Sequence, residues 1–309
     1  MIKTEPLPPG GPFFSIIIGV FNDWIPLNEC LRSLAEQTAT PSFEVIVVDD
    51  GSREQAPKFI ENWGTCYPLR IARVEHRGIS AARNEGVRLS EGLALLFIDA
   101  DSSVEPDCLA VLASCLERRP HFNYFQLRLI GESSTLIGRA EELRLLTLQS
   151  HLLRPDGRIR YLNTAGFALR RTTVDMKKGV FDPTAIRAED TLLLANMMQQ
   201  GEMPYFVSDA RVKHVISLSL SEYLVKIIRS AYLEAKTHNV IGTKGVRIRV
   251  NNKERVQMLR SMWEASKHKS IGKAAWFLLV FRQTVQLAIM QFIGVLGLKP
   301  KPNRDTGHY

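Results

Sequence analysis

The hydrophobic pattern of this chain opens with apolar, β-branched runs at Phe14 to Val20 (FSIIIGV) and Phe43 to Val48 (FEVIVV). Each is bounded by polar or turn residues, as buried parallel strands are. Between them Leu27, Leu31 and Leu34 recur at helical spacing, and Pro26 suits a first helical turn. A third run, Leu93 to Ile98 (LALLFI), follows a helix-like stretch from Ile79 to Leu89. Strands alternating with helices imply βαβ units and hence a mixed, mostly parallel sheet with covered faces. Ligands of such sheets bind beyond the carboxyl ends of the strands. The polar clusters fall there: Phe21-Asn22-Asp23, Asp49-Asp50-Gly51-Ser52 and Asp99-Ala100-Asp101.

Further on, Asp107 to Arg118 and Gly138 to Leu153 read as helices and Tyr124 to Ile130 as a strand. Asn163 to Arg171 reads as a turn entering a strand, and Asp190 to Gln200 as a helix stopped by Gly201. Phe206 to Val207 and Val212 to Ile216 are short strand candidates. Beyond Ser219 the chain turns to basic, amphipathic helices with a polar gap around Asn239 to Asn252.

With 309 residues, 45% of them apolar and 23% charged, the chain can bury a sizeable core. Cysteines 30, 66, 108 and 115 show no paired spacing, which argues against a disulfide scaffold or zinc site and fits a reducing compartment. The Pro/Gly-rich start reads as a flexible N-terminus over 1–12, without a secretion signal. The net charge of +8 is uneven: residues 1–210 carry 22 Lys/Arg against 27 Asp/Glu, and residues 211–309 carry 18 against 5. A basic final third points to an anionic partner.

The strand-end carboxylates carry the chemistry. On residues alone, DDGS is equally a tight turn. Its place after VIVV gives it a second reading, because a carboxylate at a strand end can bond the base or ribose of a nucleotide. Asp99 and Asp101 repel each other one residue apart, and a divalent cation removes the conflict. Mg²⁺ and Mn²⁺ prefer oxygen ligands, and Mg²⁺ commonly takes one or two carboxylates plus substrate phosphates.

In order, SIIIGVFN (15–22), VIVVDDGS (45–52), RGISAARNEG (77–86), LLFIDAD (95–101) and AED (188–190) resemble family 2 glycosyltransferases of the GT-A fold, a Rossmann-like α/β architecture. The similarity covers roughly residues 13 to 217. It implies a nucleotide-diphosphate sugar donor, a UDP-sugar first, with Mn²⁺ or Mg²⁺ as cofactor. Phe21 and Asp50 match the nucleotide pocket, with Asp49 as its neighbouring carboxylate. Arg83 and Asn84 match the polar positions near the nucleotide, Arg83 as a fork for phosphate charge. Asp101 matches the metal ligand, Asp99 the position nearer the ribose or a metal-bound water, and His214 a later histidine at diphosphate or metal.

Glu189-Asp190 matches the catalytic ED pair, with Asp190 as general base on the acceptor hydroxyl. Its bland alternative is a helix N-cap. Single displacement at the anomeric carbon then gives inversion. Asn163 to Phe167 resembles the acceptor-side turn, continued by Arg170 and Arg171. Two departures stand out: Asn196 where the family often has Arg, and QxxRxxW at Gln257, Arg260 and Trp263 in place of QxxRW. The second favours transfer of a single sugar.

These readings divide the chain into a catalytic domain over 13–218 and a helical, basic, membrane-associating region over 219–309. Ala274 to Leu298 is apolar but holds Arg282, Gln283, Gln286 and Gln291, and the first three share one face. The expectation is a helix lying in an anionic membrane interface, flanked by Lys267, Lys269, Lys273, Lys299 and Lys301. The alternative is a helix packed on protein. The acceptor is then expected to be a lipid-linked or cell-envelope glycan, and the location the cytoplasmic face of the cell membrane. No nucleic-acid-binding motif is present. Lacking GxGxxG and GxxxxGK, the chain reads neither as a dehydrogenase nor as a P-loop protein. GVFNDW lacks the Gly-rich loop of a sugar nucleotidyltransferase. A catalytically silent nucleotide-sugar or glycan-binding scaffold is the remaining alternative.

Overall fold

The computed structural model describes residues 11–38, 41–183, 185, 188–216, 218–242, 244–248, 250–267 and 272–295. Strands are β1 (Phe14–Val20), β2 (Phe43–Asp49), β3 (Leu69–Arg73), β4 (Ala94–Phe97), β5 (Ser102–Val104), β6 (Tyr124–Glu132), β7 (Phe167–Arg170) and β8 (Tyr205–Val215). Helices are α1 (Trp24–Ala35), α2 (Lys58–Glu61), α3 (Ile79–Leu89), α4 (Cys108–Arg118), α5 (Leu136–Leu152), α6 (Glu189–Gln199), α7 (Leu220–Gly242), α8 (Asn252–Ser266) and α9 (Gly272–Val295). The expected flexible segment 1–12 lies outside the described residues except for its last two, as do Lys269, Lys299 and Lys301.

The strands form one mixed α/β sheet of order β3-β2-β1-β4-β7-β6-β8-β5. From β3 through β4 the pairing is parallel, and β7 pairs antiparallel with both β4 and β6. The Ile/Val runs form the centre of this sheet because both of its faces are covered: Ile16, Ile17, Ile18, Val45, Ile46, Val47 and Val48 are wholly buried. Each such side chain contributes about 1.5–3 kcal/mol, a reserve against which charged strand ends are held in place. Registers Ile17↔Ile46 and Ile17↔Phe97 align the carboxyl ends of β1, β2 and β4 along one edge. Helix α3 lies close on β1, since a Cβ at Gly86 would stand 2.4 Å from Ile17 Cγ2.

Two edge elements escaped the sequence reading. LRIAR in β3 is only partly buried, and three-residue β5 exists through antiparallel pairing with distant β8. Strand β8 runs unbroken where two short strands were expected.

By internal contacts the chain forms two compact units. The first, residues up to Leu129 with Leu153–Leu194 and Met203–His214, holds most of the sheet. The second comprises Ile130–Leu152, Ala195–Glu202 and the chain from Val215. Its interior is Ala140, Leu143, Met258, Met262, Ala275 and Leu279, from α5, α8 and α9. The N-terminus of α8 is closed by a reciprocal capping box between Asn251 and Glu254.

Within this second unit Arg282 departs from expectation. It is buried, with Nη1 2.5 Å from Glu141 Oε1, and Arg144 and Lys226 approach the same carboxylate at 3.2 and 3.5 Å. Burial alone would raise the Glu141 pKa; Arg144, Arg282 and Lys226 hold it at about 2. The exposed residues of α9 include three large apolar ones, Phe277, Phe281 and Phe292, beside Lys273, Thr284 and Gln291. Over Gly272–Phe292 the helix is long and apolar enough to cross a membrane.

Candidate active site

The first wall of the site is made where β1 and β2 end. Asn22 takes a left-handed backbone (φ 62°), and its amide donates to Ser52 Oγ at 2.8 Å while its Oδ1 accepts from Arg53 N at 2.9 Å. The two strand-end turns are thus tied to each other. Asp49 faces into its own turn: Oδ1 accepts from Ser52 N at 2.8 Å, and Oδ2 lies 3.5 Å from Arg73. Gly51 (φ 77°) is required there, because a Cβ would meet His76 N at 2.9 Å.

Asp50 is fully buried, and its oxygens accept from Arg77 N at 2.9 Å and Gly78 N at 3.0 Å. His76 Nδ1 lies 2.9 Å from Asp50 Oδ2. The carboxylate, expected to bond a base or ribose, organises residues 76–78. What it presents is the imidazole of His76, which stacks on Phe21 with centroids 4.4 Å apart and planes at 24°. Sequence reasoning passed over His76; a lone histidine between charged residues carries no periodic signal.

The second wall centres on Arg83, buried on α3. Its Nη2 is 2.6 Å from Asp99 Oδ1 and its Nη1 2.7 Å from Glu189 Oε1. The guanidinium also lies over the Phe181 ring, 5.6 Å from the centroid. Asn84 fixes that segment: its Oδ1 accepts from Val180 N and Phe181 N, and its Nδ2 donates to Phe181 O. The Asn84 amide, a position expected near the nucleotide, holds Phe181. That phenylalanine, too, was invisible in the sequence, being a single aromatic in an irregular stretch.

Asp101 meets His214, Oδ1 to Nδ1, at 3.3 Å. The antiparallel register Ser102↔His214 brings them together. The DxD carboxylates are held in opposite directions. Burial, reinforced by Asp101 and opposed by Arg83, raises the Asp99 pKa. For Asp101 burial is outweighed by His214, which holds it below the usual range.

These residues fit a divalent cation in one specific way. Half of the Asp101 side chain is exposed beside an imidazole, so the pair offers an open face. Asp99, expected as a further donor, is turned to Arg83. No group of three or more His, Cys, Asp or Glu side chains forms a metal cage among the described residues. A cation on Asp101 and His214 would take its remaining ligands from outside this pair.

Asp190 opens α6 after Ala188, itself in the left-handed region (φ 62°). Its Oδ1 accepts from Thr191 N at 2.6 Å and Thr191 Oγ1 at 3.1 Å. Burial first, and then the Glu189 charge, push the Asp190 carboxyl well above the ordinary range. Glu189 is committed to Arg83.

On the expected acceptor side, the turn Thr164–Gly166 is buried, and Asn163 Oδ1 accepts from Ala165 N. Arg170 and Arg171 are occupied by carbonyls of Leu116 and Phe122 and by Ser90 Oγ.

Against known proteins, residues 15–177 match the Glycosyl transferase family 2 profile. The chain belongs to that family. Similar curated relatives include Glycosyltransferase AglE of Haloferax volcanii, 39% identical over 95 residues, or 30% of this chain and 31% of the relative. The PGL/p-HBAD biosynthesis glycosyltransferase of Mycobacterium bovis is 42% identical over 108 residues, 33% of this chain and 41% of the relative. The matches span less than half the length of these curated relatives. Among solved structures, S. aureus TarS 1-349 in complex with UDP superposes with TM-score 0.56 at 19% identity, covering 92% of each chain. Mannosyltransferase PcManGT of Pyrobaculum calidifontis, in complex with GDP-Man and Mn²⁺, gives TM-score 0.58 at 16% identity, covering 90% of this chain and 81% of that one. These likenesses give this family 2 chain its GT-A fold.

Proposed function

We propose that the protein is an inverting glycosyltransferase that moves a single sugar from a nucleoside-diphosphate sugar, most simply a UDP-sugar, to an acceptor hydroxyl. The observation that carries this reading is the convergence on Arg83 of Asp99, from the donor-side DxD, and Glu189, next to Asp190. The Phe21–His76 stack supplies a flat aromatic surface for the base at the strand ends. Asp101 and His214 would hold Mn²⁺ or Mg²⁺, which when bound offsets the charge of the departing diphosphate. Asp190 takes the proton of the acceptor hydroxyl as that oxygen forms its bond to the anomeric carbon and the sugar–phosphate bond breaks. One displacement inverts the anomeric centre. A raised carboxyl pKa suits this step, since a base works best when its pKa lies near the working pH. The solved relatives bound to UDP and to GDP-mannose with Mn²⁺ support the donor class.

The catalytic region is taken as 13–218, with 219–309 as a membrane-associating region. Exposed Phe277, Phe281 and Phe292 on α9 and Leu224, Val225 and Ile228 on α7 support a peripheral seat on an anionic membrane. The basic final third adds attraction of about 1 kcal/mol per residue near the surface. A lipid-linked or envelope glycan on the cytoplasmic side is the corresponding acceptor. The donor reading is tested by thermal stabilisation across UDP- and GDP-sugars with and without Mn²⁺. One nucleotide sugar should raise the Tm only with the metal, and a flat response across the panel would reject it.

A further inference from the structure

We propose that Arg83 and Glu189 form a positioning pair that sets the protonation of Asp190 and links it to the donor-side loop. The inference rests on Asp190 being the general base. Its geometry is independent of that role: Arg83, only 3% exposed, spans Glu189 at 2.7 Å and Asp99 at 2.6 Å with its guanidinium. Its place is fixed from below by Phe181, whose backbone Asn84 grips. The guanidinium fork is what permits two carboxylates to be held at once, and a lysine ammonium would not reproduce it.

The two members act on Asp190 with opposite sign. Glu189 is its immediate neighbour, so a full negative charge there disfavours a second anion at Asp190. Arg83 offsets that charge through Glu189 and favours the anion. Beside burial, Glu189 acts to raise the Asp190 pKa and Arg83 to lower it. A merely structural pair would not move the Asp190 titration in two opposite directions. Asp99 shares the same guanidinium, so a change at the donor-side loop is passed to Asp190 through Arg83.

The experiment is a ¹³C NMR titration of aspartate-labelled full-length protein, without donor. The Asp190 signal is identified by its loss in Asp190→Asn. In Glu189→Gln the titration midpoint should fall by about one pH unit, and in Arg83→Met it should rise by a similar amount. Arg83→Lys should recover part of the difference. If Arg83→Met does not fold, Glu189→Gln, which keeps the shape of the side chain, decides alone. An unchanged midpoint in Glu189→Gln overturns the proposal, and so does a shift of both variants in the same direction. If the midpoints move as stated while Asp190→Asn still transfers sugar, the pair stands and the base assignment falls.

Discussion

Asp101 and His214 meet at 3.3 Å although 113 positions separate them in the chain, because β5 and β8 pair in antiparallel register. An acid and an imidazole so placed, with the acid half exposed, present two metal-ligand types on one open face. Asp101→Ala should remove the Mn²⁺-dependent part of donor-induced thermal stabilisation and leave the unliganded Tm nearly unchanged. The reading fails if the variant still shows the full difference between Mn²⁺ and chelator.

The Phe21–His76 stack offers a different handle. Removing one ring of a stacked pair that receives a base costs about 1–3 kcal/mol. Phe21→Ala should therefore raise the donor KM about tenfold or more with little change in kcat, as expected for binding shared by ground and transition states. A fall in kcat at constant KM would place Phe21 in the chemical step instead.

Glu141 makes the helical unit acid-sensitive. Its folded-state pKa of about 2 lies below the ordinary 4.5. Its stabilising contribution is therefore present above about pH 4.5 and lost as pH falls toward 2. The shift corresponds to stabilisation on the order of 3 kcal/mol. Glu141→Gln leaves Arg282 buried without its counter-charge and should cost about 3–5 kcal/mol at neutral pH. Denaturant unfolding at pH 7 and pH 3 checks both statements: the gap between wild type and variant should narrow in acid. A constant gap would contradict this account of the network.

For the membrane reading, flotation with vesicles separates the alternatives. The protein should float with vesicles containing phosphatidylserine and much less with pure phosphatidylcholine, and a Phe277→Glu/Phe281→Glu double variant should stay behind. Equal recovery of wild type and double variant would show that these faces do not touch lipid.

What could be read from sequence follows from what each element is made of. Strands β1, β2 and β4 announce themselves because both faces are buried, leaving continuous Ile/Val/Leu runs whose ends carry the acids. Strand β5 is Ser-Ser-Val and owes its existence to a partner from the far end of the domain. Arg282, Gln283 and Gln286 share a helical face, which reads as a polar stripe toward headgroups. A carboxylate 141 positions away draws Arg282 inward, and a helical wheel has no knowledge of that. At the site, the acidic residues were legible but not where their oxygens point. Asp49 and Asp50 are turned inward by backbone amides of Ser52, Arg77 and Gly78. Only those turns show that His76, and not Asp50, faces outward beside Phe21.

The base assignment at Asp190 is the claim on which the catalytic reading turns, and the Asp190→Asn variant addresses it in one assay. Donor binding with Mn²⁺ and sugar transfer would be measured side by side with the nucleotide sugar that stabilises the wild type. The account predicts donor affinity within about twofold of wild type and transfer reduced by about 10²–10⁴-fold. Near-normal turnover in a variant that binds donor normally would contradict it.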